Sequence, residues 1–257
     1  MTGGADMTWR LVIDTATRRT VVAVGQGRVV AAAVVVETRH HHGTYLLTGL
    51  TSVLAEAGIG MAQVAAIGVG TGPGSFTGLR VGLATAKTLA AMRHLPIVGL
   101  PTDTALRQAA GGLLGAAAAE AAVLLPAGAR DHYLGLPGAD PVLVPPGSDM
   151  AALIGHRPLV AVDVAPDAEW LVPLRATVVA RGLPDPLDLG RSAADGLPPS
   201  LLELLDTRLA RAQLADVATL VPRYVALPRG IAAVTAAAAD APDTLDAGEG
   251  TWSPGYR

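Results

Sequence analysis

Residues 68–82 read GVGTGPGSFTGLRVG. A stretch this dense in glycine, with Pro73 inside it, continues neither a strand nor a helix. The run before it, VAAIGVG (64–70), is apolar and reads as a buried strand. After it, a helix is expected from about Thr77 to Arg93. The unit is strand, tight turn, helix, which confines the chain to an α/β architecture.

The flanking sequence extends this unit in both directions. WRLVIDTAT (9–17) reads as a buried strand that ends in turn-capable residues. TVVAVGQGRVVAAAVVVE (20–37) reads as two β-branched runs joined at Gly25-Gln26-Gly27, a hairpin. From Thr44 onward, Leu46, Leu47, Leu50, Val53, Leu54 and Ala57 recur at helical spacing, with Gly58 just past the end. LPIVGLP (95–101) supplies a third parallel-type strand. A hairpin followed by alternating helix and strand describes a mixed sheet covered by helices.

The second half carries weaker signals. EAAVLLPAG (120–128), HYLGLPG (132–138) and RPLVAVDV (157–164) read as strands of another sheet, and Pro199 to Leu214 as a helix. The low-complexity run AAGGLLGAAAAEAA (109–122) is the natural seam. The expected organisation is a first lobe over 1–110, a smaller second lobe over 111–228 and a disordered tail over 229–257, where alanine, glycine and acids dominate.

With 257 residues, 51% of them hydrophobic and 16% charged, the chain is too apolar for a disordered protein. Aromatics are only 3%, so the core must be alanine, valine and leucine. Without cysteine there is no disulfide framework and no thiolate metal site. A net charge of −3 argues against nucleic-acid binding by the chain on its own. Mean hydropathy is +0.42. However, the longest uncharged run, Ala57 to Leu79, is broken by repeated glycines and Pro73, which would leave backbone groups unsatisfied in lipid. The first ten residues lack the apolar core of a secretory leader, so a cytoplasmic location is expected.

The glycine stretch lacks the Gly-Lys-Ser/Thr ending of a Walker A loop, reading Gly78-Leu79-Arg80 instead, and it matches GxGxxG spacing poorly. What remains is a turn at a helix N-terminus, held by Gly72-Pro73-Gly74 and capped by Ser75 or Thr77. Within the helix, Gly78, Gly82, Ala86 and Ala90 lie four apart and leave a stripe for close approach. Leu79, Val81, Leu83, Leu89 and Met92 cover most of the rest, so the helix is apolar almost all round. It is either central in its own core or shares a face with another chain, and with the preceding helix it forms a candidate docking surface.

Together these motifs form a pattern. IDTAT on the first strand, GxGPGSFTGLRxG before a long helix, and Pro96, Gly99 and Thr102 after it resemble the TsaB (YeaZ) family, strongly over residues 9–110 and thinly over 120–226. The resemblance implies two ribonuclease-H-like lobes of the sugar-kinase, Hsp70 and actin superfamily. It also implies a role in making threonylcarbamoyladenosine in tRNAs that read codons starting with A. In that pathway TsaD transfers the threonylcarbamoyl group, the TsaB family supplies its heterodimer partner through helices of the first lobe, and the ATPase TsaE joins them. The resemblance implies no membrane contact, tRNA contact only through the complex, and ATP and metal only with partner subunits. A homodimer on the same helices is the competing assembly.

The catalytic relative carries a metal-binding His-x-x-x-His, and those positions are Thr102 and Leu106 here. No catalytic residue and no metal ligand is therefore expected. His40, His41 and His42 are expected in a solvated turn that leads the first helix, and His94, His132 and His156 stand alone. Asp14, Thr15, Thr17, Gly72, Gly74 and Ser75 are read as a vestigial phosphate loop. The superfamily's kinases want a glycine two residues after the aspartate, where Ala16 stands. In the second lobe Pro126 and Gly128 replace the family's acid and base, and Pro222-Arg223-Tyr224 lacks the arginine that usually follows. The partner interface is assigned to Leu46, Leu47, Leu50 and Leu54 on the first helix and to Gly82, Leu83, Ala86, Lys87 and Ala90 on the second. The rival functions are an ATP-dependent small-molecule kinase and a peptidase-like metalloprotein.

Overall fold

The structure is a computed structural model, and it describes residues 8–38, 42–128 and 130–225. The expected tail over 229–257 and the side chains of His40, His41 and His42 lie outside the described residues. Three strands open the chain: β1 (Trp9–Asp14), β2 (Arg19–Gln26) and β3 (Val29–Glu37). Then come α1 (His42–Glu56), β4 (Val64–Gly72), α2 (Phe76–Arg93) and β5 (Ile97–Pro101). These strands form one sheet in the order β3-β2-β1-β4-β5. β1 pairs antiparallel with β2 and β2 with β3, whereas β1–β4 and β4–β5 are parallel. This is the mixed sheet that the sequence pattern led us to expect, in the ribonuclease-H-like arrangement that the resemblance implies.

The chain continues through α3 (Thr102–Ala109), α4 (Gly111–Leu114), β6 (Ala122–Pro126), β7 (His132–Gly135), β8 (Val142–Val144), α5 (Met150–Ile154) and β9 (Leu159–Ala161). It ends its regular structure with α6 (Leu171–Ala180), α7 (Pro186–Asp195) and α8 (Leu197–Ala210). The second sheet runs β8-β7-β6-β9, with only β6–β9 parallel. Residues 109–122, expected as a seam, form the end of α3, α4, a 3-10 turn and the start of β6.

Alternation along each strand stacks these parts into five layers, because successive side chains on a strand point to opposite faces. Leu11 and Ile13 of β1 face α1 and α2, packing with Leu46, Val53, Leu83 and Ala86. Val12 faces the other way, into a core shared with Leu106, Leu189, Leu201 and Leu205. That middle core also takes Val123 and Leu125 of β6, so α3, α7 and α8 are sandwiched between the two sheets. The far side of the second sheet buries Leu124, Leu159, Leu171 and Val178.

The hairpin turn lies slightly later than expected. Gln26 pairs with Val29, which leaves Gly27-Arg28 as the two-residue turn, Gly27 having φ +54°. Gly25 stays in β2 at an irregularity of the ladder, where a Cβ would strike the Val29 carbonyl and Leu202. After α8, residues 211–225 run back across the first sheet as a strap. Ala215 N–H donates to the Ile97 carbonyl at 2.9 Å and Arg223 N–H to the Thr71 carbonyl at 2.8 Å. No helix among the described residues is long and apolar enough to cross a membrane.

Candidate functional site

The glycine stretch and the turn after β1 form one interlocked unit. A Cβ on Gly70 would overlap the Asp14 carboxylate, and one on Gly74 the Ala16 carbonyl. At Gly78 it would overlap the Thr15 carbonyl, and at Gly82 the Thr15 hydroxyl. Because 74, 78 and 82 recur every four residues, α2 presents a bare ridge along which residues 15 and 16 lie flat. Glycine serves here for the approach of one backbone to another.

Three of the amides that could face a phosphate are donated within the chain. Gly72 N–H reaches the Thr102 hydroxyl at 3.2 Å, Ser75 N–H the Ala16 carbonyl at 2.7 Å and Gly78 N–H the Ser75 hydroxyl at 3.1 Å. Ser75 is thus the N-cap of α2, in preference to Thr77. The Thr15 hydroxyl donates to the Gly78 carbonyl at 2.7 Å, and Thr17 accepts from Arg19 N–H at 3.2 Å within its own turn. The six residues read as a phosphate loop are therefore neighbours, and Ala16 fills the ground between them.

Asp14 is fully buried, and burial raises its pKa to about 6 against two hydrogen bonds that favour the ionised form. Those bonds come from Ala16 N–H at 2.9 Å and the Thr102 hydroxyl at 2.7 Å. Thr102 bridges Asp14 to Gly72, and Leu106 has no exposed surface in the middle core. Both positions that carry histidine in the catalytic relative are thus core positions here. Among the described residues, no three histidine, aspartate or glutamate side chains gather as a metal site would require.

The interface assignment needs correction. Leu46, Leu50, Gly82, Leu83, Ala86 and Ala90 are buried inside this chain, and Leu54 is half-buried against the first-sheet core. The stripe of small residues faces Thr15 and the sheet, which is why helical periodicity alone suggested a free face. Lys87 is half-buried too, its ammonium donating to the carbonyls of Ala218 and Leu220 in the strap at 3.1 and 3.0 Å. Only Leu47 of the nine faces solvent, at 61% exposure.

Sequence reasoning missed Tyr45 and counted Met92 only toward the apolar girth of its helix, yet both meet solvent on these helices, Met92 at 75% exposure. From Gly43 to Ala55, α1 carries no charged residue, although Thr44, Tyr45, Leu47, Thr48, Thr51 and Ser52 are exposed. A solvated helix face ordinarily carries charges. The two helices lie side by side on one face of the sheet. At the N-terminus of α2, Tyr224 of the strap stacks on Phe76 (ring centroids 5.1 Å apart), and Arg80 lies over the same ring at 4.1 Å while donating to the Tyr224 hydroxyl.

With this geometry in hand, similarity to known proteins is informative. A family model for TsaD, tRNA N6-adenosine threonylcarbamoyltransferase, matches residues 34–136. The tRNA threonylcarbamoyladenosine biosynthesis protein TsaB of Haemophilus influenzae is 44% identical over 69 residues, covering 27% of this chain and 29% of that protein. TsaB of Escherichia coli is 35% identical over 100 residues, covering 39% and 43%. YeaZ from Pseudomonas aeruginosa superposes with a TM-score of 0.60 at 22% identity, covering 85% of this chain and all of that one. Over these stretches the chain is similar to the TsaB (YeaZ) proteins. Its aligned part spans less than half the length of either curated TsaB relative.

Proposed function

We propose that the chain is a non-catalytic partner subunit in tRNA threonylcarbamoyladenosine formation, acting in the cytoplasm. It docks on TsaD and holds that enzyme in its active arrangement, serving tRNAs that read codons starting with A. The docking surface is the outer face of α1 and α2, centred on Leu47 with Tyr45 and Met92. The observation that carries this reading is the uncharged, exposed face of α1, since charge depletion with exposed tyrosine, leucine and methionine is what buried interface centres require. Similarity to the TsaB proteins supports the pathway. ATP and metal then belong to TsaD and the ATPase TsaE, and tRNA meets the chain only within the complex.

Calorimetric titration of the chain into TsaD tests this. A saturable one-to-one complex is expected, and the chain alone is expected to show no ATP hydrolysis. No complex with TsaD, or turnover by the isolated chain, overturns the reading. A homodimer on the same face is the remaining assembly, and sedimentation of the chain alone would reveal it.

A further inference from the structure

Away from the α1–α2 face, α3, α8 and the strap enclose a cleft of about 610 Å³. Three arginines line it: Arg107 from α3, Arg208 from α8 and Arg223 from the strap. Asp103 is the one carboxylate in the wall, and it is already paired with Arg223 at 3.3 Å. The second partner of Arg223, Asp140, has a side chain 97% exposed.

Arg107 and Arg208 have no carboxylate within ion-pair distance among the described residues. Arg107 is held by backbone instead, donating to the carbonyls of Ala121 at 2.7 Å and Gly135 at 3.1 Å. Arg208 donates to the Gly99 carbonyl at 3.0 Å. Carbonyls orient a guanidinium without neutralising it. Burial lowers the pKa of both groups; for Arg107 the charges of Asp103 and Glu120 oppose this, and for Arg208 the charge of Arg223 lowers it further. Three cations stand against the buried Asp103 and the exposed Asp140, which leaves a concave surface with more positive than negative charge in a chain whose net charge is −3.

We propose that this cleft binds a small phosphate monoester, with the guanidiniums of Arg208, Arg223 and Arg107 around the phosphate and Leu136 and Leu214 against the organic part. Guanidinium forks match the paired oxygens of a phosphate, and an anion offsets the surplus charge of the wall. The volume suits a small molecule, and Leu136, Leu214, Leu220 and Val221 in the wall favour an ester over the free ion. A concave site of this size does not fit a duplex backbone.

The test is calorimetry on the full chain at fixed ionic strength with phenyl phosphate, inorganic phosphate and benzoate. Phenyl phosphate is expected to bind tightest, at least tenfold above benzoate, with inorganic phosphate between them. Arg208→Gln is expected to weaken phenyl phosphate at least tenfold. Leu214→Glu, at an exposed rim position, is expected to weaken it similarly without touching an internal hydrogen bond. Arg28→Gln, on the hairpin turn, is expected to change nothing. The inference is overturned if phenyl phosphate gives no saturable heat, if it binds no better than benzoate, or if the variants that fold bind it as wild type does. Binding of a single-stranded oligonucleotide without binding of phenyl phosphate overturns it as well.

Discussion

On the inner side of α2, Gly78 and Gly82 bring the helix against Thr15 so closely that neither has room for a methyl group, whereas on the outer side of α1, Tyr45 and Leu47 meet water. Both sides avoid charge, for different reasons. Inside, a charge would be unpaired in a dry core. Outside, water would accept one freely, and none is present. Small-residue spacing therefore marks where this chain touches itself, and missing charge marks where a partner is expected.

The sharpest way to break this contrast is from within. Gly78→Val drives two methyl groups into the Thr15 carbonyl, which is backbone and cannot turn aside. The expected loss is about 3–5 kcal/mol of unfolding free energy by urea denaturation. A native-like midpoint would show that the ridge is loose. Any failure of such a variant to bind a partner reports on folding.

Asp14 makes the second test. In the native state its carboxyl titrates near pH 6, in the unfolded chain near 3.8. Between those values the native state holds a proton that the unfolded state releases, so this group's contribution falls as pH rises through the window and levels off above it. Asp14→Asn has no such titration. Its stability relative to wild type is expected to rise by about 2 kcal/mol between pH 4 and pH 7, read by denaturation at several pH values. Parallel profiles for the two proteins would show that burial does not govern this carboxyl.

Lys87→Met releases the carbonyls of Ala218 and Leu220 and is expected to cost about 1 kcal/mol, with faster proteolysis between residues 211 and 225. Unchanged proteolysis would mean that the backbone bonds of Ala215 and Arg223, with Phe76 and Arg80, hold the strap without Lys87. At the other extreme, Leu47→Asp faces solvent and is expected to shift unfolding by no more than about 0.5 kcal/mol.

Much of the first sheet was readable because glycine or proline marks three of its changes of period: Gly58 after α1, the 70–74 turn, and Pro96 before β5. The second sheet was fainter, since β8 and β9 are three residues each and no alternation develops over so short a run. The site was half legible. Spacing revealed the ridge of Gly78, Gly82, Ala86 and Ala90, but periodicity is blind to which neighbour a ridge meets. The alignment of Thr15 under it depends on a pairing 63 residues apart. The arginine cleft gave no local signal, because residues 107, 208 and 223 converge only once α8 is packed between the sheets.

The most direct measurement is the affinity of TsaD for this chain and for its Leu47→Asp/Met92→Asp variant, with the melting temperature of each recorded alongside. The account predicts at least a tenfold loss of affinity at an unchanged melting temperature. Equal affinity in a folded variant would contradict it, and would move the partner surface away from α1 and α2.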